Sequence, residues 1–108
     1  MTRRRPARDR ARLNRTTVPT LAAFVRGYLH QDWTVEHGTA ENALAAFCAD
    51  ADTRERHLLA HEFEALLDAT GRWPVERLQQ FFVRELGSAW VPQDSGDLRQ
   101  LAAGIRAE

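Results

Sequence analysis

The spacing of the large apolar residues constrains this chain more than any other feature. From Pro19 onward, Leu21, Phe24, Val25, Tyr28 and Leu29 recur at i, i+3, i+4, i+7 and i+8, which lays one apolar stripe along an α-helix. Comparable stripes return along the rest of the chain, and no segment sustains the apolar-polar alternation that a half-buried strand needs. Pro19 suits a first helical turn, where its missing N–H is not required. A polar stretch from His30 to Gly38, centred on Trp33, then interrupts the period. Gly38 closes it, because glycine adopts the left-handed backbone that other residues resist.

The remaining helix boundaries follow from local chemistry. Thr39 is a candidate N-cap for a helix over about 40–50 that buries Ala40, Leu44, Phe47 and Cys48. Asp52 followed by Glu55 matches a capping box, in which each side chain satisfies a backbone N–H at a helix start. That predicts a third helix over about 53–69 with Leu59, Phe63, Leu66 and Leu67 inside and Gly71 as its stop. Pro74 opens a fourth, carrying Leu78, Phe81, Phe82 and Leu86 and ended by Gly87. After a loop from Ser88 to Gly96, Leu98, Leu101, Ala102 and Ile105 mark a short last helix. The expectation is an all-α fold, a single compact bundle of about five short helices spanning 17–108. Each large apolar side chain buried contributes roughly 1.5 to 3 kcal/mol, so such a core stands without metal or disulfide.

Charge divides the chain in two. Residues 1–15 carry seven Arg against Asp9, net +6, while residues 16–108 carry eight Arg against fourteen acids, net −6. All fifteen cations are Arg, which reads first as codon usage. The segment 1–16 has too few apolar residues to offset the entropy of ordering and is expected to be a disordered basic tail. The single cysteine, Cys48, lies in an apolar stretch and reads as a buried small hydrophobe. No stretch approaches the roughly 18 apolar residues that cross a bilayer, and Leu21 to Val25 is too short for a secretory leader. A cytoplasmic protein without membrane contact is expected.

Few residues suggest chemistry. His57 and His61 share a helix face at a spacing that suits a metal, yet no third ligand accompanies them. His30, Asp32, Glu36 and His37 form a polar cluster in which Asp32 could orient a histidine; the structural alternative has His30 meeting the last carbonyls of its helix while Trp33 folds onto the core. There is no partnered Ser or Cys nucleophile and no glycine-rich phosphate loop. No catalytic residue, cofactor or metal is therefore expected. A nucleic-acid role would rest on Arg3, Arg4, Arg5, Arg8, Arg10, Arg12 and Arg15, which could neutralise phosphates. Against it, the tail has no aromatic residues for base stacking, and the body behind it is acidic.

The run Phe24-Val25-Arg26-Gly27-Tyr28-Leu29-His30-Gln31-Asp32-Trp33, followed by Gly38-Thr39 and Glu41-Asn42-Ala43-Leu44, resembles the immunity proteins of bacterial contact-dependent growth inhibition systems. The small helical family in question has a Tyr-Phe-His-Gln-Asp-Trp run as its hallmark. Leu86-Gly87, Trp90, Pro92, Gly96 and Leu101 are similar to a second landmark near its C-terminus. The resemblance covers about 20–106; Gln100 stands where a Trp is common, and the Arg-rich start has no counterpart. The resemblance implies a cytoplasmic binding module, not an enzyme, that acts as a monomer in a 1:1 complex with the toxic C-terminal domain of a large secreted effector and blocks it. An acidic body suits a basic toxin. The candidate partner-facing residues are Tyr28, His30, Asp32, Trp33, Glu36, Glu41, Asp50, Asp52 and Trp90. The His30-Gln31-Asp32-Trp33 core reads either as a mark of the fold or as part of the toxin contact. A small nucleic-acid-associated protein, or a regulator or scaffold, are the alternatives.

Overall fold

The computed structural model describes residues 13–107; the Arg-rich segment 1–12, where most of the expected tail falls, lies outside the described residues. Among the described residues there are six α-helices and no strand: α1 (Pro19–Tyr28), α2 (Trp33–Glu36), α3 (Ala40–Asp50), α4 (Thr53–Thr70), α5 (Val75–Gln80) and α6 (Ser95–Ala107). The extra helix relative to the expected five is α2, a single turn within the polar interruption. It forms because Val35 N and Glu36 N both donate to Asp32 O at 3.1 Å. Gly38, with φ of +80°, then turns the chain into α3.

Helices α1 and α6 each pack against both α3 and α4, so these four surround the core. Phe24, Phe63, Phe82, Leu21, Leu29, Leu59, Leu66, Leu98 and Leu101 are its large, fully buried members, and Cys48 is buried beside them as expected. Ahead of α1, Thr17 N and Val18 N donate to Asn14 O at 3.0 and 3.2 Å, and Leu13 packs against the core.

The caps of α3 and α4 follow the sequence. Thr39 Oγ1 accepts from Asn42 N at 3.0 Å. Asp52 Oδ1 accepts from Glu55 N at 2.8 Å, and Glu55 Oε1 accepts from Asp52 N at 3.1 Å. Arg56 adds a clamp by donating to Cys48 O and Ala51 O at 3.2 and 2.8 Å, which satisfies carbonyls left over at the end of α3. Helix α4 does stop at Gly71, but not through a left-handed glycine. Gly71 has φ of −57°; the helix ends as Trp73 N turns back to Thr70 O and Pro74 follows.

The fourth expected helix also departs from regularity. After α5, the turn Phe81–Glu85 widens, and Leu86 N donates to Phe81 O five residues back. One extra residue per turn keeps Phe81, Phe82 and Leu86 all buried and leaves Val83 exposed. Gly87, with φ of +69°, ends the segment as expected, and Ser88 N reaches back to Phe82 O at 2.9 Å. Ala89 N then donates to Leu29 O, which ties the following loop to the end of α1.

Candidate functional site

Eight of the nine residues singled out from sequence fall into three groups built on the end of α1, α2, α3 and the loop that carries Trp90; Asp52 stands apart. The first is built on Tyr28. Its ring stacks on His37 with centroids 5.8 Å apart and meets the edge of Phe47 at 5.6 Å, while its hydroxyl donates to Asp50 Oδ2 at 2.6 Å. Tyr28 and Asp50 line a shallow cleft of about 140 Å³ with Phe47, Ala51 and Glu55. The hydrogen bond to Asp50 holds the phenol proton and raises the Tyr28 pKa, helped by partial desolvation and by the charges of Asp50 and Glu55.

Glu36 organises the second group. Its Oε1 lies 3.2 Å from His30 Nε2 and 3.7 Å from His37 Nε2. His30 Nδ1 accepts from Asp32 N at 3.1 Å. This corrects the first expectation for the cluster and the His30 part of the second. Asp32 does not orient a histidine with its carboxylate, since Glu36 occupies that position; and the two ring nitrogens of His30 face Glu36 Oε1 and Asp32 N rather than the last carbonyls of α1. Asn42 Nδ2 donates to His37 O at 2.9 Å and fastens the group to α3. The side chain of Asp32 is exposed and caps no helix.

The third group pairs the two half-buried indoles. Trp33 and Trp90 line one groove of about 280 Å³ with Glu41, Asp97 and the Gly38-Thr39-Ala40 turn. Trp33 packs against the core, as expected, and so does Trp90, whose ring meets Phe82 edge-on at 5.5 Å. Ser88 Oγ accepts from Trp90 N and fixes the loop that delivers this indole. Asp52, the ninth residue, uses its carboxylate in the capping box of α4. The sequence reading missed Asp97, because nothing local places the start of α6 beside α2. It also missed Glu62, a buried carboxylate of α4 that accepts from Leu21 N at 2.7 Å. His57 and His61 are both exposed on α4.

The described residues form a small helical domain with a mixed aromatic and acidic rim and no helix long and apolar enough to cross a membrane. The family model for CdiI immunity proteins matches residues 17–103, and the chain belongs to that family. Among solved structures, the crystal structure of a CdiA-CT/CdiI complex from Y. kristensenii 33638 contains a similar chain. The TM-score is 0.70 at 24% identity, over 85% of this chain and 96% of that one, a likeness of fold. No curated protein matches the chain.

Proposed function

We propose that this protein is an immunity protein that binds the toxic C-terminal domain of a contact-dependent growth inhibition effector, one to one, and blocks its activity in the cytoplasm. Membership of the CdiI family across residues 17–103 carries this reading. The likeness of fold to a chain of a CdiA-CT/CdiI complex supports it. The protein acts by occupying a surface and performs no chemistry of its own.

The rim formed by α1, α2 and α3 is the proposed contact. Trp33 and Trp90 supply rigid, half-buried aromatic area of the kind that dominates binding energy. Glu41 lies in the same groove and Glu36 and Asp50 in the two other groups, and their charge accelerates encounter with a basic partner and penalises wrong ones. Asp32 tests the assignment cleanly, because its exposed side chain contributes nothing to the caps. Asp32→Ala should keep the wild-type melting temperature while weakening toxin binding about tenfold, the loss typical of one charged interface contact. Unchanged affinity would remove Asp32 from the interface.

The functional test is a titration of the cognate toxin domain's activity with the purified protein. Activity that falls linearly to zero at one equivalent supports the reading. Full activity in excess of the protein, with the correct toxin, contradicts it.

A further inference from the structure

A pocket of about 250 Å³ lies away from the aromatic rim, between the turn that precedes α1, α1 itself and the end of the widened turn after α5. It is lined by Arg15, Arg26 and Arg84, together with Glu85, Ala22, Leu86 and Gly87. Three arginines therefore border one concavity of a body whose residues 16–108 are net negative.

The other arginines with defined roles are engaged within the fold. Arg56 donates to the carbonyls at the end of α3, Arg77 lies 3.9 Å over the ring of Trp73, and Arg99 meets Ser95 Oγ. Arg15, Arg26 and Arg84 make no ion pair with a carboxylate among the described residues, Glu85 included. Arg26 and Arg84 each occupy the last turn of a helical segment, where a cation offsets the partial negative charge of the carbonyl end. That accounts for each of them singly. It does not account for Arg15, which borders the same pocket from outside any helix.

Guanidinium groups present rigid forks of donors that match oxyanions. No aromatic ring lines the pocket, so a nucleobase has nothing to stack on, and recognition falls to the anionic group alone. We propose that Arg15, Arg26 and Arg84 form a phosphate-binding pocket, whose ligand is either a free phosphate anion or the terminal phosphate of an oligonucleotide. The pocket is independent of toxin binding. Arg3, Arg4, Arg5, Arg8, Arg10 and Arg12 precede it in sequence and add non-specific attraction to any longer polyanion.

The test uses the full-length chain and three probes: inorganic pyrophosphate, a short RNA with a 5′-phosphate, and the same RNA without it. Saturable binding of pyrophosphate, or tighter binding of the phosphorylated RNA than of its unphosphorylated twin, is expected. The tighter of the two identifies the source of the phosphate. Arg26→Gln with Arg84→Gln should weaken that binding about tenfold or more, the loss expected for two charge-assisted contacts. Arg54→Gln with Arg72→Gln removes the same charge at exposed positions outside the pocket and should change it less than about threefold. All four side chains are exposed, and Arg84→Gln alone, read in the same titration, provides a milder variant should the double one unfold. No saturable binding of pyrophosphate with equal affinity for both RNAs, or equal losses in the two double variants, would overturn the proposal.

Discussion

Helix α4 starts on its own residues, with Asp52 and Glu55 exchanging side-chain and backbone hydrogen bonds three positions apart. Helix α1 has no such device. Val18 stands at its N-cap without a polar side chain, and the acceptor for Leu21 N is Glu62, forty-one residues further on. Both ends satisfy N–H groups that a helix cannot pair internally, but only the second makes helix initiation depend on tertiary structure. Glu62 thus does two things at once: it caps α1 and anchors it to α4, where the two helices share the core. The difference teaches that the start of α4 is satisfied by its own residues, whereas that of α1 is completed only by docking on α4.

The largest effect that would sharpen this contrast is expected from Glu62→Ala. It leaves the Leu21 N–H without its acceptor in a buried setting and should cost about 1 to 3 kcal/mol, the range for a buried polar group left unsatisfied. Denaturant unfolding measures it. Glu62→Gln keeps an acceptor and should cost less; equal losses would mean that packing, not the cap, carries the effect. Glycine substitutions come next. Gly38→Ala and Gly87→Ala, at φ of +80° and +69°, should each cost about 1 to 2 kcal/mol. Gly71→Ala sits at φ of −57°, and its new Cβ would lie 3.5 Å from Leu67 O, an ordinary contact. It should be neutral or slightly stabilising in thermal melts, through reduced freedom of the unfolded chain.

Asp52→Ala should cost about 1 kcal/mol, less than Glu62→Ala, because the local cap lies exposed to water that can replace it. A loss equal to or above that of Glu62→Ala would break the comparison. The smallest effect belongs to Tyr28, the sole tyrosine of the chain, so its phenolate absorbance reports one site. Its midpoint should lie above the ordinary value of about 10 and fall back in Asp50→Asn. With the folded pKa raised, the stabilisation from the Tyr28 to Asp50 bond is complete below the unfolded pKa and is lost as pH rises through the folded one. A midpoint that ignores Asp50→Asn would show that the bond does not form in solution.

What could be read from the sequence follows the same division. Thr39, Asp52, Glu55, Gly38 and Gly87 act on backbone groups within a few residues, and each sits where local chemistry places it. The apolar stripes likewise picked out the core, because burial at helical spacing is a local pattern with a global consequence. The one-turn helix α2 was hidden because four residues cannot display a period. Gly71 misled because glycine also occurs at helix ends with ordinary φ. The widened turn after α5 absorbs one residue to keep Phe81, Phe82 and Leu86 on the same side, a compromise visible only once the core has formed.

The candidate site divides in the same way. Tyr28 and Asp50 meet across 22 positions, Trp33 and Trp90 share a groove only because a loop returns to α2, and Asp97 arrives from the start of α6. The residue types could be chosen from the run Tyr28 to Trp33. Their grouping could not, since each group needs two or more helices already in place. Asp50 and Asp52 make the point within three residues of chain. One carboxylate holds the Tyr28 hydroxyl at the rim; the other caps α4.

The central claim is that this acidic helical module exists to bind one toxin domain. Isothermal titration of the full chain against the inactivated C-terminal toxin domain encoded beside it tests that claim most directly. The account predicts a 1:1 complex with nanomolar or tighter affinity, in keeping with the strength that toxin and immunity pairs can reach. A folded protein that releases or absorbs no binding heat with its correct neighbour at micromolar concentrations, and does not co-elute with it, would contradict it.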